Sequence, residues 1–179
     1  RATVEDVPPY RWKTPLQRSI QLLKRHRDVT FRDNRDLAPI SMIITNLAAH
    51  AYEGEADILT ALTNIVAKMP AYVRDEKPRV PNPADPAEDY ADKWSKDARL
   101  ERNFWAWHTA VKSDLAKLPG LLSSSSLPGA VERMFDVSLT ANEQRQLGVG
   151  GGSSGPAIIT APAAPAIVTS GSKPWGLHG

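Results

Sequence analysis

Six of the side chains from Arg11 to Arg27 are basic, namely Arg11, Lys13, Arg18, Lys24, Arg25 and Arg27, and no acid intervenes before Asp28. Leu16, Ile20 and Leu23 recur at helical spacing. Gln17, Gln21 and Lys24 therefore share one flank of an apolar stripe, while Arg18 and Arg25, seven apart, share another. Cations so arranged suit phosphate oxygens; a solvated basic face without a ligand accounts for them as well. Ser41 follows Pro39 where a second helix is expected to begin. Free N–H groups and the positive dipole end of a helix start favour an anion, and a hydroxyl adds a donor, although simple capping needs no ligand at all.

Other chemistry-bearing residues read more plainly. His26 and His50 lie on different expected helices with no carboxylate at ligand spacing, so metal binding is not expected; His26 reads as a polar flank and His50 as a packed core residue. Asp85, Glu88, Asp89 and Asp92 cluster after a proline-rich stretch and are expected at a helix N-terminus, where dipole and capping preferences explain acids without a metal. Trp94, Trp105 and Trp107 fall among apolar helical positions and are assigned to packing. The 179 residues contain no Cys, which removes disulfides, thiolate catalysis and Cys-ligated metals, and is compatible with a cytoplasmic address. The formal charge is +2, from 22 Lys and Arg against 20 Asp and Glu, which argues against a protein that coats nucleic acid. No apolar run approaches the roughly 20 residues of a membrane span.

The elements that must position these groups are helical, and the expected fold class is all-α. Thr14 caps a helix whose first position is Pro15 and which is expected to reach about Arg32. A second helix runs from near Ser41 to Gly54 and is apolar nearly all round; a third spans 56–69 and stops before Pro70. Pro70, Pro78, Pro81, Pro83 and Pro86 make 70–87 a long loop. Helix is expected again from about Glu88 to Leu118, with a break near Asp97, and Trp94, Leu100, Phe104, Trp107, Val111 and Leu115 inside. Pro119-Gly120 should end it. Two short helices, 128–136 and 140–147, follow, the second capped by Thr140 with Glu143 three residues on. Residues 1–147 form one domain. Half of the 32 positions in 148–179 are Gly, Pro or Ser, which predicts a disordered tail. The chain begins with Arg1, and it is expected to be the back part of a longer protein.

The stretches RWKTPLQRSIQLLKRHRDVTF, PISMIITNLAAHAY, and NPADPAEDYADKW followed by FWAWH resemble the C-terminal helical half of the bacterial cGAS/DncV-like nucleotidyltransferases (CD-NTases, SMODS family), the cyclic-oligonucleotide synthases of antiphage CBASS systems. The likeness covers residues 9–118. It implies a helical bundle similar to the C-terminal domain of oligoadenylate synthases, closing a nucleotide cleft. An N-terminal domain outside this sequence would carry the Gly-Ser loop and the acids that hold Mg2+, leaving no catalytic or metal residue here. Nucleoside triphosphates would be the substrates. Lys24 and Ser41 would face the cleft and hold the donor triphosphate, with Arg18, Arg25 and Asn82 as further cleft or structural residues. Asn46 departs from the Thr expected before Leu47, a change of local packing. The expected address is cytoplasmic, with no membrane contact and no sequence-specific nucleic acid. Some of these synthases end in a Gly conjugated by a partner resembling fused E1 and E2 enzymes, which makes Gly179 a candidate conjugation handle. The alternative is a non-catalytic helical module that binds RNA or a protein partner through the same basic helix.

Overall fold

The computed structural model describes residues 13–146, with the side chain of Gln146 excepted. The end of the basic run at Arg11, the 148–179 tail and Gly179 lie outside them. The described residues form six α-helices and three short 3-10 turns: α1 Pro15–Thr30, α2 Ser41–Ala51, α3 Ile58–Lys68, α4 Ala98–Leu121, α5 Leu127–Phe135 and α6 Ala141–Gln146. Local signals explain most boundaries. Thr14 and Gln17 form a reciprocal capping box at the start of α1, Asp57 accepts the Thr60 N–H at α3, and Thr140 and Glu143 box the start of α6. Gly54, at φ +90°, makes the turn between α2 and α3 that a side chain would strain.

The core is one cluster. Ile43, Ile44 and Leu47 of α2 meet Leu62, Ile65 and Val66 of α3, and Phe104, Trp107 and Val111 of α4 close over them. Leu23 is the fully buried contribution of α1, and Leu127 and Phe135 bring in α5. At about 25 cal/mol per Å² of apolar surface, each such large side chain contributes roughly 1.5–3 kcal/mol, so α1 is held in place mainly by this stripe.

Several expectations are corrected. Residues 88–97 are not helical up to Asp97: Asp89 pairs with Pro81 across a short antiparallel bridge, and only a 3-10 turn, Asp92–Ser95, precedes α4. The acids there organise a loop and do not start a helix. The expected break at Asp97 is the N-cap of α4, with the carboxylate accepting the Arg99 N–H. At its other end α4 continues through Pro119 and Gly120 to Leu121. A proline in the final turn forfeits one backbone bond, while Leu118 and Leu121 stay packed on the core. The histidines exchange places: His26 is buried at 3% exposure, whereas His50 is exposed and stacks on Tyr72 with ring centroids 5.5 Å apart.

Candidate functional site

The amphipathic pattern of α1 turns Ser19, Leu23 and His26 inward and leaves Lys24 and Arg27 at the edge of its packed face. Three residues apart, these two lie on adjacent turns of one side of the helix. A 3-10 turn, Arg35–Leu37, brings the chain back so that α2 starts against Arg27. There Arg27 Nη1 donates to Ser41 Oγ at 2.8 Å and to the Pro39 carbonyl at 3.1 Å, while Nε and Nη2 donate to Asp28 Oδ1 at 2.9 and 2.5 Å. An open cleft of about 520 Å³, lined in part by Arg27, Arg35, Pro39 and Ser41, lies at this junction.

Ser41 is the first residue within α2 and is not its N-cap. That position belongs to Ile40, which supplies no side-chain hydrogen bond. The first N–H groups of α2 therefore lack the side-chain acceptor that α1, α3 and α4 each have. Ile40 and Met42, 46% and 49% exposed, flank the serine with apolar surface. No hydrogen bond or ion pair joins Lys24 to another described residue. A hydroxyl and uncapped amides at one helix start, with a cation one turn before Arg27 on α1, are groups that suit an oxyanion.

The other sequence-predicted residues are elsewhere. Arg25 Nη1 donates to the Asp136 carbonyl at 3.0 Å, at the left-handed C-cap of α5, so its side of α1 faces α5. Arg18, two turns back on the same side, lies toward α6: Glu143 is held below the usual carboxylate range chiefly by its bonds from Thr140, with Arg18 adding a smaller attraction. Asn82 belongs to the proline-rich loop. Its Nδ2 donates to Glu88 at 2.5 Å and its Oδ1 accepts the Ala84 N–H at 2.9 Å. That loop is fastened to α2 through Asn46, whose Nδ2 donates to the Pro81 carbonyl at 2.8 Å, so the Asn46 departure serves as a tie between elements. The structure thus puts Ser41 at the α1–α2 junction against Arg27, keeps Lys24 one turn before Arg27 on α1, and leaves Arg18 and Arg25 on the α5/α6 side.

Sequence reasoning counted Arg27 among the basic residues and missed its place here. The Lys24-x-x-Arg27 spacing was the available signal; the bond to Ser41 spans a turn that periodicity does not describe. Directly beneath, His26 Nε2 lies 3.2 Å from Asp114 Oδ2, linking α1 to α4. Burial pushes the imidazole below its ordinary pKa against the opposing pull of Asp114. Among the described residues no group of three or more His, Cys, Asp or Glu side chains is placed to hold a metal ion, so they do not fit a site for Mg2+. No described helix is long and apolar enough to cross a membrane.

No protein-family model matches the chain. Two curated relatives do. It is 30% identical over 159 residues, covering 81% of this chain, to a c-di-GMP synthase of Roseivirga ehrenbergii. It is 29% identical over 118 residues, 60% of the chain, to the cyclic dinucleotide synthase CdnG of Bradyrhizobium diazoefficiens. The chain spans 42% and 27% of the lengths of these relatives. Over most of its length it is therefore homologous to part of cyclic dinucleotide synthases, in keeping with its resemblance to cGAS/DncV-like nucleotidyltransferases.

Proposed function

We propose that this chain is the triphosphate-holding helical part of a nucleotidyltransferase that builds a cyclic oligonucleotide from nucleoside triphosphates. The carrying observation is that Ser41 and the uncapped start of α2 line one cleft with Arg27, in a chain similar to two cyclic dinucleotide synthases, and Lys24 stands one turn before Arg27 on α1. In such a reaction a ribose hydroxyl attacks an α-phosphate and pyrophosphate leaves. Negative charge accumulates on the departing oxygens, and a fixed cation and donors aimed at them lower the barrier. Lys24 supplies the charge, the Ser41 hydroxyl and the first amides of α2 supply donors, and the exposed flanks of Ile40 and Met42 offer apolar surface beside them. The described residues contain no donor cluster for a divalent cation, and any cation the reaction uses is assigned to the remainder of the protein.

Antiphage signalling is the proposed setting, and Gly179 the proposed point of attachment for an E1/E2-like partner; a Gly179→Glu variant that still forms the adduct would remove the latter. The enzymatic reading is tested by incubating the full-length protein and the 179-residue chain with labelled triphosphates and Mg2+. A phosphatase-resistant cyclic product from the full-length protein alone is expected. Product from the 179-residue chain would overturn its assignment as a part without catalytic residues, whereas none from the full-length protein together with retention of RNA by the basic helix would favour the binding-module reading.

A further inference from the structure

We infer that Arg27 is a positioning residue that sets the direction of the Ser41 hydroxyl; this rests on the reading of Ser41 as a phosphate donor. The side chain of Arg27 is 15% exposed and reaches from α1 across the start of α2. Its Nη1 spans the Pro39 carbonyl and Ser41 Oγ, the oxygens on either side of Ile40, and so fixes the chain at the entry to the helix. Arginine has donors only and cannot accept the serine proton. Ser41 Oγ must accept from Arg27, which leaves its own proton to be given to something else. A hydroxyl that accepts from a cation is also a stronger donor, because the two bonds polarise one another.

The rest of the guanidinium is committed. Nε and Nη2 both lie on Asp28 Oδ1, so the plane is pinned and its charge is balanced by a neighbouring carboxylate. This distinguishes Arg27 from Lys24, which has no such partner among the described residues. Arg27 therefore acts through Ser41 and does not itself hold the phosphate.

A double-mutant cycle in the full-length protein decides the point, read as equilibrium binding of the α,β-methylene analogues of the four nucleoside triphosphates alongside the thermal midpoint. Ser41→Ala should weaken binding about tenfold, the worth of one charge-assisted contact. Arg27→Gln should weaken it to a similar degree, yet in the Ser41→Ala background it should add less than about twofold, the scatter expected of uncoupled sites. Arg27→Lys should recover part of the loss, since an ammonium reaches one of the two oxygens. Nucleoside monophosphates should be insensitive to all of these changes.

An equal loss from Arg27→Gln in both backgrounds would overturn the inference. With an unchanged midpoint it would make Arg27 a phosphate ligand, and with a lowered one a structural tie. If Arg27→Gln does not fold, the same cycle run with Arg27→Lys decides between these outcomes. Parent affinity in Ser41→Ala would instead overturn the reading of Ser41 and the inference with it, whereas parent affinity in Arg27→Gln alone would overturn only the inference.

Discussion

The proline-rich loop and the α1–α2 junction both adjoin α2 and both are rich in polar groups, but they use those groups in opposite ways. In the loop, polar groups find partners within the loop itself. Asp89 accepts the N–H groups of Arg79, Val80 and Ala91, each at 2.9 Å, and Asn82 is engaged at both ends of its amide. At the junction, α2 begins without a capping side chain and the Ser41 hydroxyl already accepts from Arg27, while Lys24, one turn before Arg27, has no described partner. Polar groups that close on one another specify backbone, whereas groups left with donors to spare are the ones available to a ligand.

The sharpest break of this contrast is Asp89→Ala. It removes one acceptor from three backbone N–H groups in a part-buried loop, and should cost about 2–3 kcal/mol of stability in urea unfolding. Burial pushes the Asp89 carboxyl upward, but the bonds from Val80, Arg79 and Ala91 outweigh it and leave the pKa below the ordinary value. With a depressed folded pKa, the contribution of Asp89 is complete above the unfolded value near 4 and is lost as pH falls through the folded one. Parent-like stability in the variant would show that the loop is held by other means.

At the junction the expected effect is on the ligand. Lys24→Ala in the full-length protein should weaken triphosphate binding by about 1.5–3 kcal/mol while the melting temperature stays nearly constant. Arg18→Ala and Arg25→Ala, on the side facing α5 and α6, should change that affinity by less than about 0.5 kcal/mol. Equal losses at Lys24 and Arg18 would erase the distinction between the two sides of α1. Asn82→Ala sharpens the comparison from the loop side, with about 1 kcal/mol of stability lost and nucleotide affinity retained.

How far the sequence discloses this arrangement depends on the range of each interaction. Thr14-Pro15 and the Thr140/Glu143 pair announce helix starts because caps act within three residues, and the buried rows of α2, α3 and α4 follow from apolar periodicity. Residues 88–97 misled because acids after a loop look like a helix start, while the carboxylate of Asp89 is used ten residues back, at Arg79. His26 was legible in part: it continues the inward row of Ser19 and Leu23, and only its residue type argued for the surface. The contact between Arg27 and Ser41 joins residues fourteen apart across an irregular turn, and no local pattern encodes it.

The smallest expected effect concerns His26, which ties the middle of α1 to α4 directly beside Arg27. Its ring packs 5.9 Å from that of Phe135, Thr30 Oγ1 lies 3.4 Å from Nδ1, and Asp114, itself bonded to Lys117, faces Nε2. Burial lowers the imidazole pKa and Asp114 offsets part of that shift, so the folded protein favours the neutral ring relative to the unfolded chain. The unfolded histidine begins to take up a proton near pH 6.5, before the folded one does. Stability attributable to His26 is therefore complete above that pH and declines as pH falls toward the lowered folded value. Thermal midpoints recorded from pH 7.5 to 5.5 should fall more steeply for the parent than for His26→Gln, which cannot titrate. The difference should be modest because Asp114 opposes the burial effect. A parent midpoint that rises on acidification relative to the variant would mean that the ion pair with Asp114 outweighs burial, and that α1 is gripped more tightly, beside Arg27, when its histidine is charged.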